Sequence, residues 1–254
     1  MTIPLQTGIV YGPMNSRRFG KSLGVNLLPD ARKICSFDCL YCQYSAAETH
    51  HSSDFPSLEQ IKEEAGAFFS TAKSGDISYD WITIAGNGEP TLHPHFEEAV
   101  KILAGLRDQY LYAVPIGILS NASTCHKPEI RRSLLMLDGR FMKLDAGRQR
   151  TFEALNQPVS KDAWTRVIRG LNEIKPIVLQ SMFVTGRVDN ISEEEIEEWI
   201  KIVQRIQPEG VQIYTLDRSP QHPDVLPAAK ETLENIARCL TDKTRIASFV
   251  YGPN

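Results

Sequence analysis

The chain has 254 residues, room for one large α/β domain, and its 42% hydrophobic and 23% charged residues suit a globular protein with a substantial core. A formal net charge of −3 excludes a generally cationic nucleic-acid binder, and no apolar run approaches the length of a membrane span. Five cysteines, three of them clustered, do not read as a disulfide framework, and the start Met1-Thr2-Ile3-Pro4-Leu5 lacks the regions of a signal peptide, so a reducing, cytoplasmic home is expected.

In chain order, short apolar runs alternate with amphipathic helices, the pattern of βα units around a parallel sheet. The first strand is expected over Ser22–Leu28, after an N-terminal extension spanning 1–20. A loop over 30–50 follows, with Cys35, Cys39 and Cys42 in Cys-x-x-x-Cys-x-x-Cys spacing. Ser57 and Gln60 form a capping box ahead of Leu58, Ile61, Ala65, Phe68 and Phe69 at helical spacing. Strands follow at Trp81–Ala85, Ile116–Leu119 and Phe141–Asp145. Trp164, Val167, Ile168 and Leu171 mark a helix before the strand Ile177–Val184. Ser192 with Glu195 repeats the capping box ahead of Ile196, Trp199, Ile200, Val203 and Ile206, and Val211–Leu216 is the last strand. Leu233, Ile236, Ala237 and Leu240 close the pattern as a final helical stripe.

Six βα repeats are two short of a closed barrel, so the expected fold is a single-domain, open, partial (β/α)6 TIM-type barrel. Val10-Tyr11-Gly12-Pro13 recurs as Val250-Tyr251-Gly252-Pro253; coincidence is the default reading, and pairing of the two ends as short strands is the alternative. Residues 131–170 hold nine Lys and Arg against four acids, a stretch that reads as a solvated face or a phosphate-facing surface.

In such a barrel, chemistry gathers in the loops after the strands' carboxyl ends. The cysteine loop follows the first strand there, and Gly86-Asn87-Gly88-Glu89-Pro90-Thr91 follows the second. Its glycines allow close backbone approach to a ligand, and Glu89 is a carboxylate for a cation such as an ammonium. Ser120 and Asn121, then Asp145, then Asp217 and Arg218 follow later strands at the same rim. Three thiolates hold three corners of an iron–sulfur cubane and leave one iron free for an exogenous ligand. A zinc site completed by His50 or His51 is the structural alternative. Cys125 is read as a small buried residue on the rim side and Cys239 as helix packing, while His93 and His95 flank Pro94 at a helix start as capping or exposed groups. His222 lies in a proline-bounded loop placed to cover the site, and Arg17, Arg18 and Arg218 are candidate anchors for a phosphate or carboxylate.

Cys-x-x-x-Cys-x-x-Cys together with Gly-Asn-Gly-Glu-Pro resembles the radical S-adenosylmethionine superfamily, including the aromatic Tyr41 before Cys42; Asn87 stands where the commoner form has a middle glycine. The resemblance implies a 4Fe–4S cluster on Cys35, Cys39 and Cys42, with S-adenosylmethionine chelating the free iron. It implies that Gly86, Asn87, Gly88 and Glu89 meet the methionine amine, that Ser120, Asn121, Lys143 and Asp145 serve the carboxylate or ribose, and that Tyr214 flanks the adenine. Reductive cleavage would start hydrogen abstraction, with a flavodoxin- or ferredoxin-like protein as one-electron donor and a tRNA or protein as macromolecular substrate.

Tyr11-Gly12-Pro13, Ser16-Arg17-Arg18, Ser22 to Pro29, Phe37 to Gln43 and Asp189-Asn190 further resemble a short branch related to tRNA wyosine-synthesis enzymes. Those enzymes carry extra cysteines for a second cluster, whereas only Cys125 and Cys239, far apart in sequence, remain here. A glycyl-radical-enzyme activase and a non-catalytic metal or electron-transfer module are the rival readings.

Overall fold

The computed structural model describes residues 3–44, 54–73, 75, 78–218 and 220–252. Strands β1 (Val10–Ser16) and β2 (Gly20–Val25) open the chain, followed by α1 (Leu58–Lys73) and β3 (Trp81–Ile84). A short 3-10 turn at Pro90–Leu92 leads to α2 (Phe96–Tyr110), β4 (Ile116–Ser120), α3 (Pro128–Leu134), β5 (Gly139–Lys143), α4 (Gln149–Asn156) and α5 (Ala163–Glu173). Then come β6 (Val178–Met182), β7 (Val184–Gly186), α6 (Glu193–Ile206), β8 (Gly210–Tyr214), β9 (Val225–Pro227), α7 (Lys230–Thr244) and β10 (Ser248–Tyr251).

The main sheet runs β1-β2-β3-β4-β5-β6-β8-β10; every pairing from β2 onward is parallel, and β1 is antiparallel on β2. The expected six strands all form, as a partial TIM-type barrel curled around a shared interior, and each end of the sheet gains one more. Val10–Ser16 is therefore a strand of the sheet, not a free extension. Val10–Pro13 lies in β1 and Val250–Tyr251 in β10, at opposite ends of the sheet, and the two strands do not pair with each other. What joins those ends is Arg17, whose Nη1 donates to the Gly252 carbonyl and lies 3.4 Å from Asp217 Oδ1. Β5 starts earlier than its apolar run because Gly139 and Arg140 pair with Gly117 and Ile118, and it ends at Lys143. The single strand expected over Ile177–Val184 breaks at Phe183, and β7 departs to pair with β9.

Apolar parallel strands need cover on both faces. Outside, the stripes of α1, α2, α5, α6 and α7 supply it, with Ile61, Phe69, Leu103, Val167, Trp199 and Leu240 nearly or fully buried. The capping box of α1 is complete: Ser57 N–H donates to Gln60 Oε1 at 2.8 Å and Gln60 N–H to Ser57 Oγ at 3.2 Å. Inside, near the strands' amino ends, Phe19, Trp81 and Phe141 pack edge to face at 4.5–6.0 Å between centroids. A Cβ on Gly139 would meet Trp81 and Phe141 at 2.7 Å, so the missing side chain makes room for this plug. The interior thus opens toward the carboxyl ends, where the site residues gather.

Much of the basic stretch is engaged within the protein. Arg131, Arg148, Arg166 and Arg169 pair with Glu173, Glu194, Asp162 and Glu173, and Arg140 is buried against the Leu137 and Pro176 carbonyls. Among the described residues no helix is long and apolar enough to cross a membrane.

Candidate active site

The cysteine loop leaves β2 and is pinned on two sides. On one, Ile34 N–H donates to the Asn87 carbonyl at 2.9 Å and Glu89 N–H to the Ile34 carbonyl at 3.0 Å. On the other, Asp38 N–H donates to the Asn156 carbonyl at 3.1 Å and Leu40 N–H to the Leu155 carbonyl at 3.0 Å, at the end of α4. These contacts present the three thiols between the second loop and the carboxyl ends of β4 and β5. Cys42 lines a cavity of about 480 Å³ together with Tyr11, Tyr41, Gly86, Met182 and Tyr214. The loop containing His222 does reach this place, since Gln221 N–H donates to the Cys42 carbonyl at 3.0 Å.

Nitrogen donors are aimed at two of the sulfurs. Lys143 Nζ lies 3.4 Å from Cys39 Sγ, Asn156 Nδ2 3.8 Å from the same atom, and Asn121 Nδ2 3.5 Å from Cys35 Sγ. Lys143 also sits 2.5 Å from Asp145 Oδ2 and 4.3 Å from the Tyr41 ring centroid. Burial alone would push the Lys143 ammonium down, but Asp145 and Cys39 beside it hold it well above its usual range. Burial pushes the Cys35 thiol up to about 12, helped by Cys39 and Glu89, and raises Cys39 against the pull of Lys143. With their pKa values raised, Cys35 and Cys39 would give up protons on binding iron. Lys33, 3% exposed and 2.9 Å from Asp38 Oδ1, adds a second buried cation; burial lowers its pKa, but Cys42 and Asp38 reverse that shift.

The donor set fits an iron–sulfur cluster: three thiols on one loop, N–H groups directed at sulfur, and no further cysteine beside them. Cys125 is buried under the rim with its thiol pushed up by burial, and Cys239, expected to pack, is exposed on α7. Among the described residues no three or more His, Cys, Asp or Glu stand together as ligands of a single metal ion; in a polynuclear cluster each iron takes its own thiolate. His50 and His51 lie outside the described residues.

The other expected residues divide into those that face the cavity and those that build its wall. Tyr41, Gly86 and Tyr214 face it. Glu89 is 1% exposed; its Oε1 accepts from Thr91 N, Thr91 Oγ1 and Ser120 Oγ at 3.2, 2.6 and 2.8 Å, and Oε2 from Asn121 N at 2.6 Å. Burial raises its pKa, and these four donors oppose the rise. Asn87 is fully buried, and its amide donates to the Gln6 and Pro29 carbonyls, both at 2.9 Å, leaving no free side-chain donor for a cofactor. Ser120 donates to Glu89 and accepts from Ala122 N at 3.1 Å. Asp145, 1% exposed, is committed to Lys143, to the Tyr41 hydroxyl, to Asn156 Nδ2 at 3.1 Å and to Met182 N at 3.0 Å. Asn190 locks this corner by donating to the Asp145 and Met182 carbonyls at 2.7 Å. Asn156 and Lys33 were missed in the sequence; Lys33 carries a signal, two residues before Cys35, and Asn156 carries none.

A profile of the radical SAM superfamily matches residues 33–203, more than half of the chain. The chain belongs to the radical SAM superfamily.

Within that superfamily it is 31% identical over 238 residues to the UPF0026 protein of Helicobacter pylori, covering 91% of this chain and 72% of that protein. It is 33% identical over 220 residues to a Brachyspira hyodysenteriae protein named GTPase Obg, covering 84% of this chain but only 31% of that longer one. The wyosine resemblance also finds a distant relative, the Schizosaccharomyces pombe S-adenosyl-L-methionine-dependent tRNA 4-demethylwyosine synthase, at 21% identity over 168 residues, 61% of this chain and 23% of that protein. Among solved structures, TYW1 with a lysine-pyruvate adduct shares the fold at a TM-score of 0.67 and 14% identity, over 88% of this chain and 74% of that one. This radical SAM protein is therefore an enzyme by superfamily.

Proposed function

We propose that the chain holds a 4Fe–4S cluster on Cys35, Cys39 and Cys42, binds S-adenosylmethionine beside it, and starts hydrogen abstraction on a tRNA or protein substrate. The observation that carries this reading is the cavity lined by Cys42, Gly86, Tyr41 and Tyr214, with N–H donors aimed at Cys39 and Cys35 of the same loop. When bound, the two groups supply one-electron reductive cleavage of a sulfonium carbon–sulfur bond, the electron coming from a flavodoxin- or ferredoxin-like donor.

The chain's own residues hold the loop, orient the cofactor and exclude water. The Gly86–Gly88 backbone and Glu89 would receive the amine. Lys143 and Asn121 would serve the carboxylate, and Tyr41 and Tyr214, each with a cation over one ring face, would flank the adenine. The aromatic plug below keeps the interior dry, which protects a reactive intermediate from solvent. An incomplete barrel with a cavity of about 480 Å³ has room for the cofactor and one reacting group, which favours a substrate that inserts part of itself.

The test is formation of 5′-deoxyadenosine by anaerobically reconstituted, reduced protein given S-adenosylmethionine. Cys39→Ala is expected to lose both cluster and product, and Glu89→Ala to weaken S-adenosylmethionine binding while the cluster's absorption persists. A fully loaded, reduced cluster that forms no product would overturn this reading in favour of an electron carrier.

A further inference from the structure

Arg18 occupies an unusual place for a cation. It sits at the turn between β1 and β2, directly before Phe19 of the aromatic plug, and its side chain enters the cavity that Cys42 also lines. The guanidinium carbon lies 4.5 Å from the Tyr214 ring centroid and 5.7 Å from that of Phe19, which holds its plane in place. Among the described residues its Nη1 is buried without a hydrogen-bond acceptor and no carboxylate pairs with the guanidinium, which hydrogen-bonds the Tyr214 side chain. A buried N–H without an acceptor is costly, and more so on a charged group.

The surrounding wall has the same sign. Arg17 and Arg218 line the cavity too, and among the described residues the only acid lining it is Asp217, already 3.4 Å from Arg17. The rings of Tyr11, Tyr41, Tyr44, Tyr214 and Tyr251 complete much of the remaining wall. A fixed guanidinium with a free N–H, in a cationic and partly apolar cavity, matches the fork geometry of a carboxylate or phosphate.

We propose that Arg18 anchors an oxyanion of the substrate, a carboxylate or a phosphate, inside the cavity it shares with Cys42. The proposal rests on the reading of that cavity as the reaction site and adds the chemical class of the group it receives. Arg18 touches substrate in this assignment, while Arg17 and Arg218 raise the local potential that draws the anion in.

The test is calorimetric titration of the anaerobically reconstituted holoenzyme with inorganic phosphate and, separately, with acetate, at constant ionic strength. Wild type should bind one of the two saturably, Arg18→Lys less tightly, and Arg18→Gln at least tenfold more weakly, with iron content and circular dichroism unchanged. Preference for phosphate identifies a nucleotide-type source, and preference for acetate an acidic side chain, chain terminus or metabolite carboxylate. S-Adenosylmethionine affinity should stay within twofold in Arg18→Gln. Three results overturn the assignment: no saturable binding of either anion by wild type, equal binding by Arg18→Gln, or a parallel loss of S-adenosylmethionine affinity, which would make Arg18 a contact of the cofactor's own carboxylate. A 5′-deoxyadenosine assay on the same samples separates the two claims. Intact anion binding without product removes the radical reading alone, and product without anion binding removes this one alone.

Discussion

Gly88 has no side chain because Ile34 occupies the space one would need. A Cβ there would sit 1.8 Å from the Ile34 carbonyl oxygen, and the residue's φ of +139° is one that L side chains rarely adopt. Gly88→Ala should therefore cost about 1–3 kcal/mol in backbone strain and lift the second loop from the cysteine loop. Iron per chain after reconstitution should fall along with the melting temperature; normal iron loading would show that the two loops are not coupled. His93, three residues past this loop's Pro90, gives a pH signature. It is 3% exposed, its Nδ1 accepts from His95 N–H at 3.1 Å, and its Nε2 lies 2.9 Å from the Pro56 carbonyl, so the neutral ring satisfies both contacts. Burial holds its pKa below the usual range. A depressed folded value means that the folded state binds fewer protons, so this contribution is fully present above about pH 6.5, the unfolded value, and is lost as pH falls through the folded one. Urea unfolding at pH 7.5 and pH 5 should show that loss in wild type and a smaller pH dependence in His93→Gln. The glycine pattern and the histidine pair were both legible in the sequence. The carbonyl of Ile34 and that of Pro56, which explain them, were not.

At the scale of elements, the two capping boxes diverge. In α1 the box is reciprocal, but in α6 only half of it forms: Ser192 Oγ accepts from Glu195 N–H at 3.3 Å, and the Glu195 side chain goes elsewhere. Its Oε1 accepts from Gly147 and Arg148 N–H at 2.6 and 3.1 Å, and its Oε2 from Thr151 Oγ1 at 2.8 Å, so it caps the start of α4 instead of its own helix. Gly147 permits this docking, since a Cβ there would meet Trp199 N at 2.2 Å. Hydrogen bonds to a buried charge are worth more than neutral ones, and stranding their donors adds to the loss. Glu195→Ala should cost about 2–4 kcal/mol in urea unfolding, against about 1 kcal/mol for Ser192→Ala. Equal losses would mean that the carboxylate does no more than cap its own helix. Because α4 carries Asn156 toward Cys39, Glu195→Ala should also slow cluster assembly.

For the whole molecule, the two ends of the sheet are joined by side chains instead of strand pairing. Arg17 reaches from the β1–β2 turn to Asp217 and Gly252, across the gap that seven parallel strands leave. Exposed pairs of this kind contribute about 0–1 kcal/mol, so Arg17→Ala should barely change global stability. Local opening is another matter: amides of Ser248–Tyr251 should exchange up to about fivefold faster by mass spectrometry, the factor that 1 kcal/mol allows. Unchanged exchange in β10 would show that its pairing with β8 holds that edge alone.

The order of strands and helices, the partial barrel and the identity of the thiol loop could all be read from the chain, because periodicity, capping residues and Cys-x-x-x-Cys-x-x-Cys are local patterns. The edges were hidden, since Val10–Ser16 is mostly half-exposed or exposed and carries no clean alternation. The placement of Lys143 against Cys39 spans 104 positions and that of Asn156 spans 117, distances over which no local pattern acts. Tertiary structure alone decided which polar side chains face the cavity and which build its wall. Burial sets that division: it commits Asn87, Ser120 and Asp145 largely to partners within the protein and leaves Arg18 with an unpaired N–H.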